Sequence, residues 1–551
     1  MSLRAENKDT AHPPRSKHHL IGSSATSPLL HYLLPAIVIF LVYILGSYLS
    51  SPLRQYPGPF LAKFTNLWRL FYTSRGNFQH DLDRLHKKYG PVVRIGPNIL
   101  DVDDPTLLKT VFGTKGEWKK TGLYQSVGAL VNGEVVHNIF GQPDEAKHAE
   151  EKKPIAKYYS PAGVASFEPL IDQTIAQLCD ELDKRFVATT SAADLGDWIL
   201  YYAWDVVGTV TFSQPFGYLS AGRDFDGTLR ASEKTLDYFS WVGCMPFFDT
   251  LLQKNRVAAY ITTKFFRNSG GFNAIAATCV NRLIARYQGT DRQSDSASQP
   301  DYLDRFLETK AAAAADSTAF PVDDNRVVSW IMVNLGAGAD TTAISIRSAL
   351  YYSLRTPRVW ARLRADLTSA GLFDADSDKF SGEPVSLKQA RRVPYLEAVV
   401  REAIRYLPGV SLGIERYVPP GGQRLPCVGN LVVPQGTILA FNPWIINRNE
   451  SVFGPDSHEF RPERWLRGER EDEAAFAARL RAMNDADLSF GAGSRMCIGK
   501  HFGIMQVFKV VATLVLRYDI ELVDPEKEWT VINSWFPRQK GLVVRMRKRH
   551  T

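Results

Sequence analysis

Hydrophobic positions along the chain fall into three patterns. The stretch LLHYLLPAIVIFLVYILGSYL, residues 29–49, is apolar almost throughout and contains no Lys, Arg, Asp or Glu. As a helix it would be about 31 Å long, which matches a bilayer core of about 30 Å and predicts a membrane anchor. Pro35 and His31 weaken its first turn, so the expected span begins nearer Leu33. In two other stretches the apolar residues recur at helical spacing. One is VVSWIMVNLGAGADTTAISIRSALYYSLRT, bounded by Pro321 and Pro357; the other follows Ile498, with Phe502, Met505, Val507, Val510, Val511, Leu514 and Leu516. GPVVRIGPNILDVDD and LVVPQGTILAFNPWII instead alternate, with turn residues between, and predict two short β-hairpins. The pattern as a whole predicts a mainly α fold with a small β part.

Polar and punctuated segments divide the chain around those elements. Residues 1–28 carry Pro13, Pro14 and several serines and are expected to be a disordered polar tail. The run at 29–49 is expected to stay as a transmembrane anchor rather than be cleaved as a signal peptide, because a long tail precedes it and no clear small-x-small site follows. A Pro-rich hinge, 50–60, leads into one continuous body, 61–551, in which 288–300 and 371–384 are low-complexity surface loops. With 45% hydrophobic and 11% aromatic residues, the body can bury a large core. A net charge of +8 is a moderate excess for 551 residues. No recognition motif and no concentrated basic run occurs apart from the terminal RMRKRH, which argues against nucleic acid. The five cysteines, Cys179, Cys244, Cys279, Cys427 and Cys497, are odd in number and far apart, which argues for a reducing compartment rather than a disulfide scaffold.

One of these cysteines has unusual neighbours. In FGAGSRMCIGK, residues 490–500, Cys497 stands between glycines at the head of the last apolar helix. There unpaired amides and the helix dipole favour an anionic sulfur and lower its pKa. Gly491, Gly493 and Gly499 remove side chains where a flat cofactor would press on backbone, and Arg495 is available to pair with a carboxylate on it. A lone cysteine builds neither a zinc nor an iron–sulfur site, whereas haem iron is held by one axial thiolate. Taken by itself, Cys497 is equally a buried structural thiol.

Phe490, Gly493, Arg495, Cys497 and Gly499 fill every fixed position of F-x-x-G-x-R-x-C-x-G, and the chain is thereby identified as a member of the cytochrome P-450 family. Further motifs follow the family's order. In DEAKHAEEKKPIAKYYSP, otherwise an exposed charged helix face, the positions that meet a haem propionate are His148 and Lys152; a Lys where Arg is usual keeps the charge and loses the bidentate fork. In the central helix Gly336 and Gly338 each cost about 1 kcal/mol against Ala. The resemblance makes this a groove over the haem for dioxygen, and A-G-x-D-T-T at 337–342 makes Asp340 and Thr341 a carboxylate and hydroxyl of a proton relay. Without it they would simply cap a helix. Glu402 and Arg405, by default a surface i,i+3 pair, are in the family buried with an arginine supplied here by Arg464 of FRPERW. Arg416 in GIERYVPPGG matches a strand arginine at a haem propionate.

The resemblance covers nearly the whole chain after the anchor. It implies a single large haem domain of the cytochrome P-450 fold, with Cys497 as axial iron ligand and Phe490, Gly491, Gly499, Arg495, Arg416, Lys152 and His148 around the haem. The implied activity inserts one oxygen atom from O2 into a lipophilic small molecule such as a terpenoid, polyketide or alkaloid intermediate. Electrons would come from NADPH through a cytochrome P-450 reductase, with cytochrome b5 as a further donor, because the chain has no flavin or dinucleotide fingerprint. Lys500, His501, Lys152 and Lys153 are candidates for the docking face. Family alignment puts substrate contacts at 124–131, 239–248, 332–336, 410–414 and 533–536, residues that are equally ordinary core. PGPFLAKFTNLWRL resembles filamentous-fungal members, of the pisatin demethylase type. Family analogy puts the protein in the endoplasmic reticulum membrane with its catalytic body in the cytosol, although Arg4, Lys8, Arg15 and Lys17 would hold the tail there by the positive-inside rule. Two rivals stay open: a haem-thiolate isomerase or dehydratase working without reductase, against which the Asp340–Thr341 pair counts, and a non-enzymatic haem-binding protein, which would need no relay.

Overall fold

The computed structural model describes residues 28–113, 117–131, 134–255, 257, 271–291, 299–374, 379–380 and 382–549. Residues 1–27 of the tail expected at 1–28, much of the loop at 288–300 and part of that at 371–384 lie outside the described residues. Two units divide the chain, Met1–Ser51 and Pro52–Thr551. In the first, the apolar run forms helix α1, Pro28–Leu49, with Pro35 inside it. Leu34, Ile39, Phe40, Val42 and Tyr43 are exposed on that helix.

In the second unit the helices that build the site are α2 (Glu145–Lys152), α3 (Leu195–Phe212), α4 (Thr228–Cys244), α5 (Gly271–Gln288), α6 (Asp324–Arg355), α7 (Pro394–Tyr406) and α8 (Lys500–Arg517). Helix α6 is the axis, packed by α3, α5, α7 and α8. It starts where the Asp323 carboxylate accepts from the Arg326 amide and ends two residues before Pro357. By length and composition it could cross a membrane, but Ala343, Ile346, Ala349 and Leu350 are fully buried, as befits the core helix of a globular body. Helix α8 is enclosed too: every apolar position expected of it is buried, and so is Lys509, whose Nζ lies 2.6 Å from Glu168 and 2.7 Å from Asp172.

The β part is mostly small sheets. β1 (Val92–Gly96) and β2 (Ile99–Val102) form the first expected hairpin, with Arg94 opposite Leu100. The second expected hairpin does not form. Leu431–Val433 pairs with Gln423–Leu425, while Ile438–Phe441 joins the first hairpin. Pro434, which has no N–H to give a ladder, and Gly436, at φ 78°, turn the chain away between them. Labelling Ile414–Tyr417 as β3 and Ile438–Phe441 as β4, the larger sheet has the order β1-β2-β4-β3, with β4 parallel to β2 and antiparallel to β3. A last hairpin, β5 (Thr530–Ser534) and β6 (Phe536–Lys540), carries Trp535 at its tip. The Pro-rich stretch expected as a hinge is laid on the body from Pro52 onward, since Leu53 and Tyr56 are buried in one apolar cluster with Val92, Leu100 and Val102.

Candidate active site

Helices α2, α4 and α6, strand β3, the 490–500 loop and the β5–β6 tip surround a cavity of about 360 Å³, within the roughly 300–1,000 Å³ of small-molecule sites. Cys497 forms part of its wall. The loop is fixed where the Cys497 amide donates to the Phe490 carbonyl at 2.8 Å, and α8 begins three residues further on. Gly491 and Gly493 sit at φ 71° and 61°, and a Cβ on Gly493 would collide with the Phe112 carbonyl. Cys497 is exposed, and the space it faces is this cavity. Surrounding protein pushes the thiol pKa up, against the pull of the Gly499 amide, Lys152 and Lys500. Desolvation thus outweighs the helix end that the sequence made dominant; a bound metal replaces the thiol proton outright.

One flank of the cavity is crowded with positive charge. Lys120, Lys152, Arg416 and Arg495 all line it, and His148 stands among them. The side chain of Arg495 meets Glu145 at 2.6 Å, while its Nη1 is buried with no partner. Lys152 donates to the Ser494 carbonyl at 3.2 Å, and Arg416 to its own strand at the Glu415 carbonyl, 2.8 Å. Lys120 and Arg416 are cross-strand neighbours in an antiparallel bridge, an arrangement that repels when both are cations. Burial, then Arg416 and Arg495, hold the Lys120 pKa well below its usual value. Burial and the same four cations push His148 down to about 3, so its imidazole is neutral. A dianionic, flat cofactor answers this arrangement: its carboxylates would meet the cations and its edge the glycine loop. Haem with its two propionates fits. The sequence singled out His148, Lys152, Arg416 and Arg495, and the structure gathers all four here. It missed Lys120, because nothing in EWKKTGLY marks which lysine turns inward.

Helix α6 treats its expected pair differently. Thr341 lines the cavity, its hydroxyl donating to the Ala337 carbonyl at 2.7 Å. Asp340, one position and about 100° around the helix, does not line it. Its carboxylate accepts from Trp204 Nε1 at 3.3 Å and Ser232 Oγ at 3.2 Å. Burial raises its pKa, opposed by Trp204, Arg347 and Ser232. The helical glycines also differ: a Cβ on Gly336 would enter open space, whereas one on Gly338 would touch Val207 of α3 at 3.3 Å. One leaves the cavity its room, the other lets two helices approach.

Beside the cations the wall turns aromatic, with Lys120 Nζ 4.5 Å from the ring centroids of both Tyr124 and Phe140. Tyr124, Phe140, Phe239 and Trp535 form an edge-to-face group, with Phe239 and Trp535 ring centroids 5.0 Å apart. Trp535 holds φ 81°, a left-handed conformation that a bulky residue adopts only under constraint. Of the expected substrate positions, Tyr124, Phe239, Met332, Val410 and Phe536 line the cavity, whereas Phe247 and Phe248 are exposed elsewhere. Asn533 is buried and bonds Gln79 and the Ser411 carbonyl, both at 2.8 Å. Outside the cavity, Glu402 is joined to Arg405 at 2.8 Å and to Arg464 at 3.0 Å, all three inaccessible to solvent.

The cytochrome P450 family profile matches residues 57–548 of this chain. Cytochrome P450 monooxygenase cfoH of Aspergillus candidus is 41% identical over 531 residues, which is 95% of this chain and 94% of that protein. Cytochrome P450 monooxygenase cicH of Emericella nidulans is 31% identical over 512 residues, 93% of this chain and 97% of its own length. With mpaDE of Penicillium brevicompactum the identity is 34% over 516 residues, 93% of this chain but 57% of that longer protein. The chain belongs to the cytochrome P450 family, oxidoreductases that use a thiolate-ligated haem, O2 and NADPH-derived electrons.

Proposed function

We propose that this protein is a membrane-anchored monooxygenase that inserts one oxygen atom from O2 into a lipophilic small molecule, as a step in fungal secondary metabolism, with electrons passed from NADPH by a reductase. The observation that carries the reading is a single thiol opening into a largely apolar cavity whose one charged flank holds more buried cation than the protein neutralises. Haem held there supplies the redox chemistry of dioxygen. Cys497 would hold its iron in this reading, and Arg495, Arg416, Lys152 and Lys120 would hold its carboxylates, with His148 contributing a hydrogen bond. Thr341 holds a hydroxyl at the cavity face of α6 where a proton can be handed on, and Asp340 behind it is the acid. The aromatic group around Trp535 excludes water and presses an apolar substrate toward Thr341. The Glu402–Arg405–Arg464 triad keeps the segment before the cysteine loop in place.

Helix α1 supports the anchor, because a helix with exposed Leu, Ile, Phe and Val between Leu34 and Leu49 is stable in a bilayer and costly in water. By analogy the membrane is that of the endoplasmic reticulum and the body cytosolic. The partner face then includes exposed Lys153 and His501.

Cys497→Ser should abolish the thiolate-type spectrum of the reduced carbonyl complex, and an unchanged spectrum would remove the ligand assignment. Product that forms equally well without NADPH and reductase would replace the monooxygenase with the isomerase reading. Thr341→Ala should keep the spectrum while reductant is consumed without product.

A further inference from the structure

Asp340 meets the cavity only through another side chain. Of its two hydrogen-bond partners among the described residues, Trp204 is a donor that cannot accept, so it can hold the carboxylate but cannot pass a proton. The other is Ser232, whose hydroxyl both donates and accepts, and Ser232 lines the cavity where Asp340 does not. On α4, Ser232 shares one face with Thr235, Leu236 and Phe239, and all four line the cavity. A molecule lying against that wall therefore touches the same helix face that grips Asp340. The other charged groups around Asp340 are Arg347 on its own helix and Glu233 on α4. Arg347 is committed to the Gly196 carbonyl at 2.8 and 2.6 Å.

We propose that Ser232 is the positioning residue through which Asp340 exchanges protons with the cavity, and that substrate resting on Thr235, Leu236 and Phe239 sets whether the link is made. In one passage the Asp340 carboxyl gives a proton to Ser232 Oγ as the serine gives its own toward the cavity. One proton enters, the hydroxyl is regenerated, and Asp340 is left ionised until it is reprotonated from the solvent side; no electron moves. The inference rests on the monooxygenase reading above.

The test uses the full-length haem protein. In Ser232→Ala and Ser232→Val, product formed per NADPH consumed should fall by roughly a hundredfold, the low end of what a positioned proton donor contributes, and the solvent isotope effect on turnover should rise. Ser232→Thr, which keeps a hydroxyl, should restore both. Independently of turnover, the carboxyl infrared band assigned by Asp340→Asn should protonate at higher pH in Ser232→Ala, because the ionised form has lost a donor, and return in Ser232→Thr. If Asp340→Asn uncouples turnover while both Ser232 variants stay at the wild-type ratio, the link through Ser232 is wrong and the acid acts by another route. A Ser232→Thr that rescues neither readout would reduce Ser232 to packing and overturn the proposal. Should Asp340→Asn and Thr341→Ala both leave coupling intact, the relay falls as a whole and this link with it.

Discussion

Two clusters of buried charge in this protein differ in one respect, and the difference separates scaffold from site. In the first, Glu402 Oε1 accepts from Arg405, Arg464 and the Arg461 amide, and Oε2 from Arg405 and Trp465. What remains of Arg405 is spent on the carbonyls of Asn447, Ser457 and Glu459. Every charge is answered from within. In the second, Lys120, Lys152, Arg416 and Arg495 line the cavity, Glu145 pairs with Arg495, and a nitrogen of that same arginine is left buried and empty-handed. Protein interiors rarely leave buried donors unanswered, so an excess of one sign marks the place of a ligand of the other.

The comparison predicts opposite responses to neutralising one member. Glu402→Gln keeps the shape of the triad but leaves the buried Arg405 guanidinium without a carboxylate, while Arg464 keeps Asp456 at 3.0 Å, at a cost of about 3–5 kcal/mol. The urea midpoint of the full chain should drop accordingly, and a change under about 1 kcal/mol would mean that the triad's balance is not what holds that region. Lys120→Met in the cavity cluster should leave the urea midpoint near wild type, since it removes a repelled cation, yet release haem roughly tenfold faster, as losing a charged hydrogen bond of about 1.5–3 kcal/mol allows. Transfer to excess apomyoglobin measures the release. Wild-type release together with a lowered midpoint would make Lys120 scaffold after all.

Both clusters show how far the sequence could be followed. The cysteine loop was legible because its chemistry is local: glycines, an arginine and a thiol within ten residues have few other joint uses. Helices α6 and α8 were legible from apolar period, α6 also from its proline boundaries, and the first hairpin from alternation. The second hairpin was misjudged because alternation reports a half-buried strand without naming its neighbour, and the partners of Ile438–Phe441 lie far away at Ile99–Val102 and Ile414–Tyr417. The same limit hid Lys120 and Ser232. Each is an ordinary residue whose meaning comes from a group distant in sequence, Arg416 in one case and Asp340 in the other. Asp340 and Thr341 were expected as the two members of one relay, but neighbours on a helix point about 100° apart, and of the two Thr341 lines the cavity.

A third buried pair tests the rule on a smaller scale. His86 donates through Nε2 to Asp101 at 2.8 Å and through Nδ1 to the Gly90 carbonyl at 3.0 Å, so both ring nitrogens face acceptors and the ring is best satisfied as imidazolium. Burial alone would lower its pKa, but the hydrogen bond and charge of Asp101, with Asp103 behind it, outweigh burial, and the pKa stands above the ordinary histidine value. A raised folded-state pKa contributes stability that is complete below the unfolded value of about 6.5 and is lost as pH rises through the folded one. Neither His86 nor Asp101 lines the cavity, so this pair should act on folding rather than on haem. The stability gap between wild type and His86→Asn should therefore be widest at pH 6, about 1 kcal/mol, and narrow steadily to pH 9, with haem release the same in both. Urea midpoints at three pH values decide it: a gap that stays constant across them would show that His86 is held neutral, and that its two acceptors do not govern its charge.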